Sequence, residues 1–491
     1  MSERLRVALV HYHLKRGGVT RVIESTLRAA DACMPGAQFV VLAGEVPAEV
    51  TFSERAITIE GLQYSNAQVK TPGADALLAQ IERAATKALG GPPHVWHIHN
   101  HSLGKNTALP DLVKLLAAKG APLLLQMHDF AEDGRPGNYA ALHSPEQLYP
   151  AAPHLHYATI NARDHAYVHS MGLPPEQLHL LPNPVEGSAA RHDFDTNTIR
   201  RTLLAERLIL YPVRAVRRKN FGEMLLWSAL AEPGDLFATT LGPTNQNYVQ
   251  AYQHWQSLAH SLKLPVRFGI GESNTWPFES IIQSASAILN TSIAEGFGLA
   301  FLEPWLFGKA IIGRDLPAIT ADFKAKGLQL DTLYPALAVP AAWIDCNALE
   351  AKIGSGLQAA YRTYGLALPQ DATERALQAI TLPAGQIDFG GLDEAQQTAI
   401  ITRVAEDPES HKAIHQRLPH HLDQSTRIQH NSQIVCQHYG LEHYAGQLHQ
   451  IYLQLRQTTP QQPCTALEFY PSQQLLKSFL KPENFRLLRT G

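Results

Sequence analysis

The chain has 491 residues, which is enough for about two or three domains with sizeable hydrophobic cores. Charged residues make up 17% of it and hydrophobic residues 45%, and its 41 Lys and Arg against 44 Asp and Glu leave a net charge of −3. This near-neutral balance argues against a nucleic-acid-binding protein and against a polybasic membrane anchor. The composition favours an ordinary globular enzyme.

The cysteines and the N-terminus both indicate the cytoplasm. Four cysteines are scattered without the short spacings of a zinc site or a disulfide framework: Cys33, Cys346, Cys436 and Cys464. The chain enters an apolar strand near Leu5 without a run of signal-peptide length, and no later segment is long enough to span a bilayer. We therefore expect a cytoplasmic protein with reduced thiols. Peripheral contact with a membrane and the oligomeric state stay open.

The first half of the chain alternates apolar strands with amphipathic helices. The predicted strands are residues 5–11, 39–42, 95–99, 122–128 and 155–161, and the predicted helices are 19–31, 74–89, 107–119 and 162–171. This alternation is typical of a parallel sheet covered by helices on both faces. Ligands of such sheets bind beyond the carboxyl ends of the strands, so candidate site residues are expected in the loops at those ends.

The first of these loops contains Gly17 and Gly18, in the segment H-L-K-R-G-G-V-T-R. Because glycine has no side chain, the backbone N–H groups here can approach an anion at the start of the following helix. Lys15, Arg16 and Arg21 add positive charge nearby. An ordinary turn between a strand and a helix can contain the same two glycines, and the residues alone leave that alternative open.

Two further polar segments follow strands of the first half. The run H-I-H-N-H at residues 97–101 places alternate histidines on one face of a strand, a pattern that can bind a metal. No carboxylate accompanies the run, so we expect no metal site. The polar loop at residues 129–139 suits a small polar acceptor molecule. Its acceptor candidates are Asp129, Asp133, Arg135 and Asn138.

The segment N-T-S-I-A-E-G-F-G-L-A-F-L-E-P-W-L-F-G-K-A-I-I-G, residues 290–313, organises the second half of the chain. We predict a strand over 287–290, a turn, a helix that begins near Gly298 and a strand over 310–313. Gly296 and Gly298 let the backbone approach an anion at the positive end of that helix. The N–H groups concerned are those of Phe297, Gly298 and Leu299.

Two glutamates flank this predicted anion site, Glu295 in the turn and Glu303 in the helix. A nucleotide sugar has a matching layout, because its diphosphate lies between the ribose hydroxyls and the hydroxyls of the transferred sugar. A tight turn with two solvated glutamates is the alternative that this spacing alone leaves open.

The segment resembles the motif of two glutamates separated by seven residues in retaining glycosyltransferases of the GT-B fold, family 4 in particular. The family form reads close to E-G-F-G-L-x-x-x-E-A-x-x-x-G-x-P-V, and Glu295, Glu303 and Gly308 fall in register. Pro304 departs from the small residue that usually follows the second glutamate, and a proline kinks a helix unless the first turn begins late. The resemblance implies an α/β protein with two Rossmann-like domains that face a central cleft.

The same resemblance implies roles for residues elsewhere in the chain. Arg214 at a strand end and Lys219 five positions later match the cations that hold the donor diphosphate in this family. Fixed cations there stabilise the charge that builds on the leaving diphosphate. Arg217 and Arg218, between them, are expected to face solvent. His128 matches a histidine that lies near the donor sugar, where a neutral imidazole can hydrogen-bond a hydroxyl or phosphate oxygen.

Gly17 and Gly18 match a family loop that closes over donor and acceptor. The resemblance implies that Glu295 contacts the sugar and Glu303 the ribose. The implied catalytic residues are Glu295, His128, Arg214 and Lys219. The implied donor-binding residues are Gly17, Gly18, Arg214, Lys219, Glu295, Gly296, Phe297, Gly298, Leu299 and Glu303. No metal or other cofactor is required, since the nucleotide diphosphate sugar is itself the donor substrate.

The resemblance also sets the expected domain boundaries. Residues 1–186 form a Rossmann-like acceptor domain, 187–205 a linker, and 206–457 a Rossmann-like nucleotide-sugar domain. A helical insertion at about 324–386 has no counterpart in the family, and residues 458–491 are expected to pack back on the first domain.

The function that follows is transfer of a hexosyl group from a nucleotide diphosphate sugar to an acceptor hydroxyl with retention of anomeric configuration. Two other classes share the fold or the ligand, namely a nucleotide-sugar 2-epimerase and a noncatalytic nucleotide-sugar sensor. No nucleic-acid partner is expected.

Overall fold

The computed structural model describes residues 4–65, 72–187, 196–273, 275–419, 424–458 and 467–489. These residues form two compact units, each with a parallel sheet. The first unit comprises Met1–Pro184, Ala360–Leu366 and Tyr439–Lys481. The second unit comprises Val185–Ala359, Ala367–His438 and Pro482–Gly491.

The first unit contains a seven-stranded sheet in which every pair of neighbours is parallel. In spatial order its strands are Ala56–Thr58, Gln38–Ala43, Arg6–His11, Val95–His99, Leu123–Met127, Leu155–Thr159 and Leu178–Leu180. The strands Val95–His99, Leu123–Met127 and Leu155–Thr159 are buried along their whole length. Such strands are typical of a parallel sheet with both faces covered, and the predicted α/β class is confirmed.

Helices pack on both faces of this sheet. They are Gly18–Cys33, Ala74–Leu89, Leu109–Ala118, Pro136–Ala140, Ala162–His169, Leu441–Gln457 and Ser472–Phe479. Successive side chains of a strand point to opposite faces. Leu123 and Leu125 therefore join the apolar cluster that includes Leu112, whereas Leu124 joins the cluster that includes Leu448.

The helix Leu441–Gln457 belongs to the first unit, although we expected the second domain to extend to residue 457. Its apolar side chains recur at helical spacing in the core of that unit: Tyr444, Leu448, Ile451 and Leu455. The hydroxyl of Tyr444 lies 2.8 Å from Oγ1 of Thr26, and the hydroxyl of Tyr452 lies 2.8 Å from Nδ1 of His97. The expected boundary was wrong because this apolar stripe completes the first core.

The second unit contains a six-stranded sheet, also parallel throughout. In spatial order its strands are Val266–Arg267, Asp235–Leu241, Arg207–Arg214, Ala287–Asn290, Ile311–Arg314 and Leu333–Tyr334. The helices in this part of the chain are Thr196–Leu203, Phe221–Ala229, Val249–Ser261, Phe278–Ser284, Glu303–Leu306, Pro317–Ala325, Cys346–Thr363, Ala372–Gln378, Glu394–Glu406, Pro408–Ala413 and Ser425–Tyr439.

The region expected as a helical insertion, about 324–386, is only partly helical. Its strand Leu333–Tyr334 extends the second sheet, and a two-residue strand is too short to show a sequence periodicity. A small antiparallel sheet consists of Ala338–Pro340, Gln386–Asp388 and Thr381–Leu382. Leu333–Tyr334 is therefore part of the second sheet and not of a separate helical segment.

The ends of the expected domains also differ from the structure. Residues Pro482–Gly491 group with the second unit, whereas we expected 458–491 to pack on the first. Within the first unit, Glu468–Phe469 pairs with Pro150–Ala151 in a two-stranded antiparallel sheet. Residues 188–195 of the expected linker 187–205, and 459–466 and 490–491 of the expected closing segment, lie outside the described residues.

No helix among the described residues is both long enough and apolar enough to cross a membrane. Three cysteines have free thiols: Cys33, Cys346 and Cys436. The fourth, Cys464, lies outside the described residues.

Candidate active site

The order in which the chain adds strands to the second sheet reverses between two neighbouring strands, Arg207–Arg214 and Ala287–Asn290. After the first of these the chain continues to Asp235–Leu241 on one side, and after the second to Ile311–Arg314 on the other. Loops that leave adjacent strand ends in opposite directions open a crevice, which is where open α/β sheets bind ligands. The two loops here carry the predicted cations and Glu295.

Glu295 is held by two cations within the second unit. Lys219 donates from Nζ to Oε1 of Glu295. Arg218 donates from Nη1 to Oε2 of Glu295 at 2.8 Å and to the carbonyl of Ala294 at 2.8 Å. Only 9% of the Glu295 side chain is exposed, so solvent screens these interactions weakly. The structure brings Glu295 and Lys219 together, and their binding of a donor stays a prediction.

The charge state of this cluster follows from its partners. Burial alone would raise the pKa of Glu295, but Lys219 and Arg218 outweigh it and lower that pKa to about 2. Burial lowers the pKa of Lys219, and the adjacent carboxylate opposes that change. Glu295 is therefore an anion at neutral pH, and each of its two oxygens accepts a hydrogen bond from a cation.

We expected Arg217 and Arg218 to face solvent. Arg218 is exposed, with 44% of its side chain accessible, whereas Arg217 is partly buried. Arg218 pairs with Glu295, and Arg217 donates from Nε and Nη2 to the two carboxylate oxygens of Glu394 at 2.6 and 2.8 Å. Sequence reasoning missed both ion pairs because the acidic partners come from distant parts of the chain. No local pattern in the sequence indicates these pairs.

Further contacts fix the main chain of Lys219. Its carbonyl accepts a hydrogen bond from the hydroxyl of Tyr211 at 2.8 Å and from Thr291 Oγ1 at 3.1 Å. The hydroxyl of Tyr211 also lies 2.9 Å from Ser292 Oγ. Residues from both strands at the crevice thus hold the base of the Lys219 side chain, and sequence reasoning did not identify them.

Arg214 ends the strand Arg207–Arg214, where it is partly buried and lies opposite Leu241 of the neighbouring strand. Within the described part of the chain, no hydrogen bond or ion pair engages its guanidinium group. A partly buried arginine at a strand end keeps its donors available for an anion, because arginine stays protonated and presents five N–H groups.

The E-G-F-G turn differs in detail from the predicted helix. A 3-10 turn spans Leu299–Phe301, and an α-helix spans only Glu303–Leu306. Pro304 thus lies in a first turn, where its missing N–H costs no hydrogen bond, and the helix needs no kink. Gly298 has φ +90°, and a Cβ there would lie 2.8 Å from Ile319 Cγ2, so the turn requires glycine.

The other donor-side residues of this turn have separate surroundings. Phe297 is buried and packs edge-to-face on Phe323, with 5.8 Å between ring centroids. Gly296 and Leu299 are partly buried, and so is Glu303, the first residue of the short helix. Phe297 thus anchors the turn from inside. Contacts of these residues with a donor stay a prediction.

In the first unit, His128 follows the strand Leu123–Met127 and is buried. Its Nε2 lies 3.0 Å from Nδ1 of His99. Asn100 Oδ1 accepts from the backbone N–H groups of His128 at 2.7 Å and Asp129 at 3.1 Å, which fixes the loop. Burial lowers the pKa of His128 to about 4, so its imidazole is neutral at physiological pH.

The histidine run at residues 97–101 is buried and hydrogen-bonded. His97 lies 2.8 Å from the hydroxyl of Tyr452 and 2.9 Å from Gln126 Oε1. His101 lies 2.9 Å from the carbonyl of Leu148. The described residues contain no cluster of three or more His, Cys, Asp or Glu arranged to hold a metal ion. Nε2 of His99 and Nδ1 of His101 are buried without a hydrogen-bond partner among the described residues.

The acceptor candidates separate into two groups. Asp129 forms an ion pair with Arg135, whose Nη1 also donates to the carbonyl of Phe130 at 3.0 Å. Asp133 instead lies 3.5 Å from Nη2 of Arg163. Asp129 and Arg135 are paired through their side chains, and Nη1 of Arg135 also donates to the carbonyl of Asp133 at 3.3 Å.

Asn138 lies in the short helix Pro136–Ala140. Its carbonyl packs on Gly104, where a Cβ would approach that oxygen to 2.2 Å. This contact fixes the backbone of Asn138 against the first unit, and Gly104 is required for it.

Gly17 and Gly18 start the helix Gly18–Cys33 and are exposed. No side chain caps this helix, so its first N–H groups are not satisfied by a capping side chain. A Cβ at Gly18 would have no heavy atom within 4 Å. The fold itself therefore does not require glycine at this position.

Comparisons with known proteins were made by sequence and by structure. No family model matches the chain. A mannosylglucosyl-3-phosphoglycerate synthase from Petrotoga mobilis is 26% identical over 345 residues. The match covers 64% of this chain and 66% of that relative, so this chain spans slightly less than two thirds of the relative's length.

Solved structures resemble the chain over nearly its whole length. Anabaena HepE in complex with UDP and glucose has a TM-score of 0.54 and 14% identity, and covers 91% of this chain and 99% of its own. Sucrose-phosphate synthase from Thermosynechococcus elongatus has a TM-score of 0.54 and 16% identity, over 93% and 100%. OtsA has a TM-score of 0.51 and 13% identity, over 93% and 100%.

These solved structures are GT-B glycosyltransferases, and the two parallel sheets of this chain correspond to their two Rossmann-like domains. The chain therefore has the two-domain GT-B fold, and the resemblance to glycosyltransferases first seen in its E-G-F-G-L segment extends to its whole architecture.

Proposed function

We propose that the chain is a retaining glycosyltransferase that moves a hexosyl group from a nucleoside diphosphate sugar to an acceptor hydroxyl. The observation that carries this proposal is the placement of Glu295 between Lys219 and Arg218 at the switch point of the second sheet. A buried carboxylate with two cations beside it supplies both kinds of group that such a donor needs.

The chemistry explains why both kinds are needed. The bond from the anomeric carbon to the diphosphate oxygen breaks, and its electron pair leaves on the diphosphate. A new bond forms from the acceptor oxygen to the anomeric carbon, and the hydroxyl proton passes to the leaving diphosphate or to water. Fixed cations stabilise the negative charge on the leaving group, and removal of one such group typically costs about 10²-fold in rate or more.

Each residue then has a proposed role. Arg214 and Lys219 bind the diphosphate, Glu295 binds the sugar and Glu303 binds the ribose. The neutral imidazole of His128 hydrogen-bonds the donor. Gly17 and Gly18 contribute backbone N–H groups. The acceptor is proposed to contact Asp129, Arg135, Asp133 and Asn138.

The relatives indicate which donor and acceptor to test first. HepE has been crystallised with UDP and glucose, which makes UDP-glucose the first donor to test. The Petrotoga relative is named as a synthase of a phosphoglycerate glycoside, so phosphorylated glyceric acid and its glycosides belong in the acceptor panel. We propose no obligatory metal, and excess EDTA should leave the rate unchanged.

The test compares the wild-type chain with Glu295→Ala, Lys219→Ala and the control Lys412→Ala. Lys412 forms an exposed ion pair with Glu409, with 71% of its side chain accessible, so this control removes a lysine away from the crevice. We expect sugar transfer to fall about 10²-fold or more in the two site variants and to stay unchanged in the control.

NMR of the product tests retention through its anomeric configuration. Wild-type rates in both site variants would overturn the assignment. Conversion of the donor without any acceptor would indicate an epimerase, and donor binding without transfer to any acceptor in the panel would indicate a sensor.

A further inference from the structure

Asn220 directly follows Lys219 and has an unusual backbone conformation. Its φ is 52° and its ψ is 59°, which is the left-handed region, and only 1% of the residue is exposed. Residues other than glycine are uncommon in this region, although asparagine tolerates it better than most. The surrounding structure must therefore hold Asn220 in place.

The side-chain amide of Asn220 is bonded at both ends. Its Nδ2 donates to Glu223 Oε2 at 2.7 Å, and its Oδ1 accepts from Gln397 Nε2 at 2.9 Å. Its carbonyl shares the single hydroxyl donor of Thr291 with the carbonyl of Lys219, each at 3.1 Å from Oγ1. Glu223 and Gln397 are fully buried, so these hydrogen bonds do not compete with solvent.

Glu223 is in turn fixed by a buried network. Arg314 donates to it from Nε at 2.9 Å and from Nη2 at 2.6 Å, and the hydroxyl of Tyr334 donates at 2.7 Å. Arg314 also donates to both oxygens of Asp388, at 2.8 and 2.7 Å. The carboxylate that orients Asn220 therefore cannot turn away without breaking this network.

The helix Glu394–Glu406 contacts the same loop at a second point. Glu394 binds Arg217, two residues before Lys219, and Gln397 binds Asn220, one residue after it. Residues three apart on a helix lie on one face. One helix face thus fixes the chain on both sides of Lys219.

We propose that Asn220 is a positioning residue for Lys219. Its left-handed backbone, fixed by Glu223 and Gln397, directs the Lys219 side chain so that its ammonium group meets Glu295 and, in turnover, the leaving diphosphate. This inference rests on the proposed function for the role of Lys219 at the diphosphate. The orientation of Lys219 toward Glu295 is independent of that function.

Two substitutions separate the backbone from the side chain. Asn220→Gly loses the side-chain amide but still adopts the left-handed conformation at low cost. Asn220→Ala loses the side-chain amide and also disfavours the left-handed conformation. The matched control is Asn431→Ala. Asn431 is also fully buried in the second unit, and its amide makes two 2.9 Å hydrogen bonds with the backbone of Gln329.

Each variant is assayed for binding of UDP and UDP-glucose by calorimetry, for kcat and KM, and for its thermal unfolding midpoint. We expect kcat to fall about 10²-fold in Asn220→Ala, because a misplaced Lys219 no longer stabilises the charge on the leaving diphosphate. We expect a smaller decrease of kcat in Asn220→Gly. We expect UDP to bind more weakly in the same order. In Asn431→Ala the midpoint should fall while kcat and UDP affinity stay at wild-type values.

The orientation of Lys219 is measured without ligand, by ¹⁵N NMR of labelled lysine side chains, with Lys219→Arg to identify the signal. We expect the signature of the ion pair with Glu295 in the wild-type chain and its loss in Asn220→Ala. An unchanged signal in Asn220→Ala, or kcat and UDP affinity equal to those of Asn431→Ala, would overturn the inference. A wild-type chain that binds no nucleotide sugar would overturn the proposed function instead, and the NMR result would still decide the role of Asn220.

Discussion

Nδ1 of His99 lies 3.0 Å from Nε2 of His128, and both rings are buried. One nitrogen must donate and the other accept, so this contact requires at least one neutral imidazole. Burial lowers the pKa of both residues, to about 4 for His128. The pair is consequently stable only while the medium is not acidic enough to protonate both rings.

Acid should therefore weaken the fold. The pKa of His128 falls from 6.5 to about 4 on folding, so the unfolded chain takes up a proton first as the pH drops. The contribution of His128 to the free energy of unfolding is complete above pH 6.5 and is lost as the pH falls toward 4, by about 3 kcal/mol for one such residue. Urea unfolding followed by tryptophan fluorescence at several pH values should show a smaller decrease in His128→Gln. The exposed control His254→Gln should behave as wild type, and equal pH profiles for both variants would contradict this account.

Substitution of Gly18 should separate folding from function. Because a Cβ at Gly18 meets no heavy atom within 4 Å, Gly18→Ala should keep or slightly raise the thermal unfolding midpoint. If the backbone at Gly18 contacts the donor, the added methyl group displaces the donor. A displacement of about 1 Å can cost 10²-fold in kcat/KM. Gly446→Ala, an exposed helix glycine with equal room for a Cβ, is the control and should leave the rate unchanged. Wild-type rates in Gly18→Ala would remove this loop from the donor site.

Tyr364→Phe should affect the acceptor rather than the donor. The hydroxyl of Tyr364 accepts from the N–H of Arg135 at 2.8 Å and donates to the carbonyl of Ala131 at 3.0 Å. Loss of these two hydrogen bonds destabilises the folded conformation of the loop that carries Arg135 by about 1–3 kcal/mol. We expect the acceptor KM to rise about tenfold with UDP-glucose affinity unchanged. Tyr361→Phe, which loses a bond to the carbonyl of Leu480 instead, is the control, and equal KM values for both variants would argue against this acceptor assignment.

Glu132 should make the chain less stable as the pH rises from acidic to neutral. Its carboxyl is fully buried and accepts a hydrogen bond from the hydroxyl of Tyr149 at 3.0 Å. Burial raises its pKa from 4.5 to about 7, so stability falls as the pH rises through this range, by about 3 kcal/mol in all. Glu132→Gln should therefore gain stability relative to wild type between pH 5 and 8 in urea unfolding. The exposed Glu146→Gln is the control, and a constant difference between Glu132→Gln and wild type across this range would show that Glu132 does not titrate as described.

The strands and the glutamate motif were predictable because their signals are local. The buried strand Leu123–Met127 reads L-L-L-Q-M and is apolar except at Gln126, and Glu295 and Glu303 are recognised by their spacing in one segment. Lys219 could be placed at the donor only through resemblance to a family. Its ion pair with Glu295 depends on two adjacent strands that are far apart in the chain.

The remaining differences arise from contacts between distant segments. Arg217 and Arg218 look like solvated charges because Glu394 and Glu295 are far away in sequence. The conformation of Asn220 likewise depends on Glu223 and a helix from near the end of the second unit. Local patterns cannot indicate which distant helix closes a core, and the same limit explains the misplaced boundary at residue 457.

The position of the helix Leu441–Gln457 in the first core has a consequence for synthesis on the ribosome. The seven strands that it helps to cover all leave the ribosome before Pro184, long before this helix is made. At about 5–20 residues per second, the nascent sheet waits roughly 15–60 s with part of one apolar face uncovered. A truncated gene product that ends near Pro184 would leave this face uncovered permanently, and we expect it to aggregate.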